Sequence, residues 1–161
     1  MRLLKFAGLI CAFFALSLGQ TVYVEPAAAE SQFAQVDSFR AGVQRIFSPS
    51  ILEDVDFKNG HGEIVFHAPK VLPDYFEAGD KVNKIFALES ARLFRDMPTL
   101  KSLDMAILVE GEARAISLER GAVEDYYSVD FTQLSDKRRW QSFVADNDSN
   151  EMRQAFVDNF R

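Results

Sequence analysis

The residue of this chain whose type and position conflict most is Glu89. At 100° per residue, Tyr75, Ala78, Val82, Ile85, Phe86 and Leu93 fall within about 60° of Val82 on a helix, and Glu89 lies in the middle of that apolar stripe. A carboxylate there must be paired, must have a raised pKa, or must face a cavity. The chemistry this suggests is ligand anchoring or general acid–base work, with Arg92, Arg40 or Arg114 as the orienting cation. Arg40 lies on the rim of the first helix's own apolar stripe, and Arg114 projects from the second hairpin. A buried structural ion pair, or a helix whose C-terminal half leaves the sheet, accounts for the same position without a ligand.

Metal-binding chemistry has few letters to work with. The chain holds two histidines, His61 and His67, both on one predicted hairpin. Six residues of strand hold them ~20 Å apart, too far to share an ion. His61 and Glu63 share a strand face, and Asp56 stands opposite Glu63 in the expected register, so these three are a weak candidate for zinc or calcium. An exposed polar face relieved by Lys58 explains the same arrangement. Asp146, Asp148 and Asn150 take the first three ligand positions of a helix–loop–helix calcium loop. The pattern then fails: Glu151 stands where the sharp turn needs glycine, and Val157 where a bidentate glutamate belongs. A turn between helices, rich in capping residues, uses the same letters. No nucleophile elbow, H-E-x-x-H motif, phosphate loop or dinucleotide fingerprint is present, and no cofactor is expected.

Two aromatic groups are candidate contact surfaces. Trp140, Phe143, Phe156 and Phe160 are spaced for one face of the terminal helices, which is equally the spacing of core packing. Tyr126 and Tyr127 sit among acids, either as a carbohydrate or peptide contact or as one residue in and one out. The densest basic run, Lys137-Arg138-Arg139, is three residues long, and the chain carries 24 acids against 18 bases. Nucleic acid is not expected as a partner, because phosphate binding needs clustered cations.

The first 29 residues read as a secretory signal peptide. Arg2 and Lys5 precede a charge-free apolar run from Phe6 to Leu18, and Ala27-Ala28-Ala29 supplies small residues at the cleavage site. The run is shorter than the ~20 residues of a membrane-spanning helix. An uncleaved anchor is the rival; a lipoprotein fits poorly, because Cys11 lies inside the apolar run. Cleavage after Ala29 removes Arg2, Lys5 and Glu25, leaving 16 bases and 23 acids on residues 30–161. It also removes the sole cysteine, so the mature chain would enter the periplasm or medium with neither disulfide nor thiolate. Stability then rests on the core, to which twelve of the fifteen phenylalanines remain available.

The elements that must position these groups follow from periodicity. Ser31 to Phe47 is an amphipathic helix, with apolar residues from Phe33 to Phe47 at intervals of three and four. Residues 51–68 alternate around Asn59-Gly60, a hairpin in which Lys58 pairs with His61, Val55 with Ile64 and Phe57 with Gly62. Asp74 to Arg95 is a long helix, with Asp74 as N-cap, Glu77 in a capping box, and Glu77–Lys81 and Asp80–Lys84 as spaced ion pairs. Leu103–Val109 and Ala113–Leu118 form a second hairpin around Glu110-Gly111. Residues 121–127 are helix or strand. Two short helices follow, the first capped by Ser135 and the second by Ser149 or Asn150.

The expected fold is α+β: a four-stranded, mostly antiparallel sheet of two hairpins, with the long helix on one face and terminal helices flanking it, in a single domain over residues 30–161. The expected function is a small exported bacterial binding or accessory module for an envelope protein or small ligand. It would be non-enzymatic, and would have no integral membrane span after cleavage. The alternative is a carboxylate hydrolase acting on an envelope glycan, with Glu89 as acid/base and Asp56 or Asp104 as partner. A third reading is a calcium-responsive envelope protein.

Overall fold

The structure, a computed structural model, describes residues 26–77, 79–109 and 111–161, with side chains from Gln32 onward. Nearly all of the expected signal peptide therefore lies outside the described residues. The fold is α+β. Helix α1 (Pro26–Ile46) leads through a single 3-10 turn (Pro49–Ile51) into strands β1 (Leu52–Lys58) and β2 (His61–Phe66). A helical stretch follows, made of α2 (Lys81–Lys84), a π-helical turn (Ile85–Glu89) and α3 (Ser90–Asp96). Strands β3 (Ser102–Val109) and β4 (Glu112–Glu119) come next, then α4 (Arg120–Tyr127), a 3-10 segment (Phe131–Ser135), α5 (Lys137–Asn147) and α6 (Asn150–Phe160).

The four strands form one sheet in the order β1-β2-β3-β4. Both hairpins are antiparallel, and β2 runs parallel to β3 because the helical crossover between them returns the chain to the same end of the sheet. The first hairpin has the expected register, Lys58 with His61, Phe57 with Gly62 and Val55 with Ile64. Its turn places Asn59 at φ 55° and Gly60 at φ 88°, the left-handed pair that a two-residue hairpin with the right twist requires. Alternation then buries Val55, Phe57, Ile64, Phe66, Leu103, Met105, Ile107, Ile116 and Leu118 on one face. That face shares a single buried cluster with Phe39 and Val43 of α1, and with Phe86, Leu93 and Phe94 of the helical stretch. Side chains of the opposite face, from Asp56, Glu63 and Asp104 to Ser117, remain at the surface.

Helix α1 begins upstream of the expected start, at Pro26, where proline suits the first turn and three alanines favour propagation. Its stripe engages the core only from Val36 onward, so Phe33 is 71% exposed. The ring of Phe39 lies directly over Gly62 and stacks on Phe57 with centroids 5.0 Å apart. A β-carbon at Gly62 would come within 2.5 Å of that ring. Glycine is needed there for close approach, not for a turn.

The long helix is shorter than its charge pattern implies. Residues 69–77 form consecutive turns instead, and Gly79 adopts φ 69°, which an α-helix does not tolerate. Asp74 caps no helix; its carbonyl accepts from Glu77 N. Phe76 drops into the core against Phe66, at 6.4 Å between centroids. Burying a phenylalanine stabilises by about 1.5–3 kcal/mol, whereas a spaced ion pair contributes ~0.2–0.5 kcal/mol, so packing overrides the capping box and the charge pairs. The charges find other partners. Lys81 Nζ donates to Tyr75 O at 2.9 Å, Asp80 takes Arg153, and Lys84 takes Asp148.

The π turn resolves the conflict at Glu89. One added residue in the turn brings Ser90, rather than Glu89, into the buried stripe, where Ser90 is fully covered and donates to the Phe86 carbonyl. Glu89 is thereby rotated to the margin. The end of α3 is held by Arg120, whose guanidinium donates to the carbonyls of Leu100, Phe94 and Met97 at 2.8, 2.7 and 2.8 Å.

Residues 120–127 are helical, which settles the segment that periodicity left open. Helix α5 is capped by Asp136, which accepts from Arg138 N and Arg139 N, and not by Ser135, which belongs to the preceding 3-10 segment. Ser149 caps α6 as expected. No described helix is long and apolar enough to cross a membrane.

Candidate functional site

The C-terminal end of α1, the 3-10 turn, the 72–77 turns and the π turn leave a cavity of about 200 Å³ between them. Ile46, Phe47, Ile51 and Ile85 form its apolar wall, with Tyr75 beside them. Lys81, Lys84, Ser48 and Glu89 supply the polar atoms. Glu89 side-chain exposure is 16%, and Arg92 Nη1 lies 3.1 Å from its Oε2. That contact is ionic only: Oε2 is buried and accepts no hydrogen bond. Burial pushes the Glu89 pKa above its ordinary 4.5; Asp148 adds to the rise, and Arg92, Lys84 and Arg95 partly oppose it. Glu89 thus lines a small cavity of mixed apolar and charged wall, and its buried Oε2 is an unsatisfied acceptor beside it.

Of the four residues expected to act together, only Glu89 and Arg92 meet. Arg40 Nη2 donates to the Val55 carbonyl at 3.1 Å, on the outer side of α1 beside Glu53 and Asp54. Arg114 sits on strand β4 opposite Ile107. The cations at the cavity are Lys81 and Lys84, which the sequence marked only as members of helical ion pairs. Lys84 is five residues before Glu89, a spacing that faces away in an α-helix and comes round only through a π turn.

A second constellation lies on the open sheet face. Asp56, Glu63 and Asp104 stand side by side across β1, β2 and β3, with Ser117 ending the row on β4. His61 is in the adjacent row, between Lys58 and Ser102. Its Nδ1 is 2.9 Å from Ser102 Oγ, and its Nε2 is 3.4 Å from Asp104 Oδ2. His61, Glu63 and Asp104 each bring a ligand atom within 4.8 Å of the other two. The expected trio thus keeps His61 and Glu63 and takes Asp104 in place of Asp56. Sequence could not show this, because it required knowing that β3 lies beside β2.

The calcium-like loop is organised around an internal cation. The Arg153 guanidinium, almost fully buried, donates to the Asp148 side chain, the Asp148 carbonyl and Asn150 Oδ1, and its Nε to Asp80 Oδ2 at 2.7 Å. The letters that resemble metal ligands are therefore arginine ligands, except Asp146, which lines a broad groove of about 1340 Å³ along α5. Those carboxylates hold the Arg153 pKa above its ordinary value, although burial opposes them.

The acid pairs imagined for glycan cleavage do not assemble. Asp56 and Asp104 are on the open face, whereas Glu89 belongs to the helical layer that shares the opposite face's core. The aromatic tail packs internally: Phe156 is fully buried, Tyr127 stacks on it at 5.3 Å, and Phe143 meets Tyr127 edge-on at 4.9 Å. Trp140 lies half-buried beneath Arg95, 4.1 Å from guanidinium to ring. Compared with protein-family models, curated proteins and solved structures, the chain matches none.

Proposed function

We propose that this chain is an exported, non-enzymatic binding module of a bacterial envelope, with the cavity beside Glu89 as the seat of a small ligand. The observation that carries the reading is Glu89, whose side chain lines that cavity and whose buried Oε2 has no hydrogen-bond partner. A volume of about 200 Å³ is below the ~300–1,000 Å³ of pockets for drug-sized ligands. The ligand is accordingly small, with an apolar body for Ile46, Ile51 and Ile85 and one hydrogen-bond donor for Glu89. Export rests on the basic, apolar and small-residue order of residues 1–29.

The test is native mass spectrometry of the protein purified from the envelope fraction, beside the cavity-filling variant Ile46→Trp. The expected result is a chain beginning at Glu30 that retains a small molecule, with the variant empty. A wild-type chain without any adduct, which captures an envelope protein on in-cell crosslinking, would replace the small-ligand reading with a protein partner. A mass that includes Met1 would overturn export by cleavage.

A further inference from the structure

We propose that His61, Glu63 and Asp104 form a binding site for a divalent transition-metal ion of the zinc type on the open face of the sheet. The site is independent of the cavity beside Glu89, which lies in the helical layer.

The backbone does the positioning. His61 and Glu63 are alternate residues of β2, so both side chains rise from the same face. Asp104 is the direct neighbour of Glu63 on β3, and the ladder hydrogen bonds set the spacing between them. The three ligand atoms already gather within 4.8 Å. The 3.4 Å separation of His61 Nε2 from Asp104 Oδ2 matches the ~3.4 Å edge of a tetrahedron with zinc–ligand bonds of ~2.0–2.2 Å.

The imidazole is oriented from behind. When Nδ1–H donates to Ser102 Oγ, 2.9 Å away, the lone pair of Nε2 points at the Asp104 carboxylate. Two acceptors that face each other repel unless a proton or a cation sits between them. A divalent ion would also relieve the charge around it. Asp56, Glu63 and Asp104 form an unbroken row of carboxylates across three strands, and like charges directly opposite one another destabilise a sheet. Lys58, opposite His61, is the basic residue of the two facing rows. One nitrogen with two carboxylates selects zinc-like ions over calcium or magnesium, which prefer oxygen alone. Three protein ligands on an open face leave a coordination position for water or for a partner's donor group.

The experiment is titration of the purified chain with zinc chloride, followed by calorimetry and by NMR of the histidine ring nitrogens. His67 serves as the internal control: its Nδ1 is already bonded to the Ala68 carbonyl at 2.9 Å. The expected result is saturation at one equivalent with the His61 ring signals shifted and those of His67 unmoved. His61→Ala and Asp104→Asn each weaken zinc binding by more than ~10-fold, the lower end of what second-shell changes alone produce. Asp56→Asn keeps one-equivalent saturation. Glu63→Gln, nearly isosteric, repeats the loss should either other variant fail to fold. Absence of saturable binding would overturn the proposal. So would binding that His61→Ala leaves intact, or shifts confined to His67, both of which mark adventitious surface association.

Discussion

Tyr127 Oη donates to the carbonyl of Ala87 over 3.2 Å, joining α4 to the π turn across forty residues of chain. A π turn displaces its carbonyls from their usual helical donors, and here the Ala87 carbonyl takes the Tyr127 phenol and the Ser90 hydroxyl, the latter also at 3.2 Å. Burial, with Tyr126 adding to it, pushes the Tyr127 pKa up, so the phenol remains a donor at every physiological pH. Tyr127→Phe keeps the ring stack and removes this one bond. The expected loss is ~1 kcal/mol in urea unfolding, within the ~0.5–1.5 kcal/mol of a typical intramolecular hydrogen bond. A variant as stable as the wild type would show that Ser90 alone satisfies the carbonyl.

Glu89→Gln reads out the buried carboxylate. Its folded-state pKa lies above the ordinary 4.5, chiefly through burial, so folding favours the protonated form. The associated stability is fully present below pH 4.5 and is lost as pH rises through the folded-state pKa. Wild type should therefore lose stability relative to Glu89→Gln as pH rises from 4.5, and the variant should be within about 1 kcal/mol of wild type or above it at pH 7. A loss approaching the ~3–5 kcal/mol of a broken buried pair at pH 7, fading as pH falls and the wild-type carboxyl takes up its proton, would instead make Glu89 a structural anchor for Arg92.

Gly62→Ala tests the close approach of α1 to the sheet. The added methyl would meet Phe39 Cζ at 2.5 Å and Cε2 at 2.9 Å, and overpacking of this kind costs ~1–3 kcal/mol. In a Phe39→Leu background the penalty should shrink, giving a coupling of at least ~0.5 kcal/mol in a double-mutant cycle. Strict additivity would place the strain outside the ring, in the β2 backbone or against Leu100 Cδ1, 3.0 Å from the added methyl.

Much of the sheet was legible because its signals are local. Asn59-Gly60 demands one turn type, and alternation around it permits one register that buries Val55, Ile64 and Phe66 together. The short helices of the tail followed from spacing as well, although the cap of α5 moved from Ser135 to Asp136. The 74–80 segment misled for the opposite reason. Its capping box and charge pairs are genuine helix signals worth tenths of a kcal/mol each, and the burial of Phe76 with Gly79 at φ 69° outweighed them.

The partnerships of charge were the part that spacing could not reach. Glu89 was conspicuous from its place in an apolar stripe, yet Lys84 joins it only through a π turn, which one sequence does not announce. Asp104 joins His61 and Glu63 because β3 is the parallel neighbour of β2, and strand order is a property of the assembled sheet. Nothing in the spacing marks Arg120 or Arg153, yet one holds three carbonyls at the end of α3 and the other gathers the Asp148–Asn150 turn. Periodicity determines which face of an element is apolar, because that depends on neighbours a few residues away. Which polar groups meet depends on contacts between segments far apart in the chain, and only the packed structure decides those.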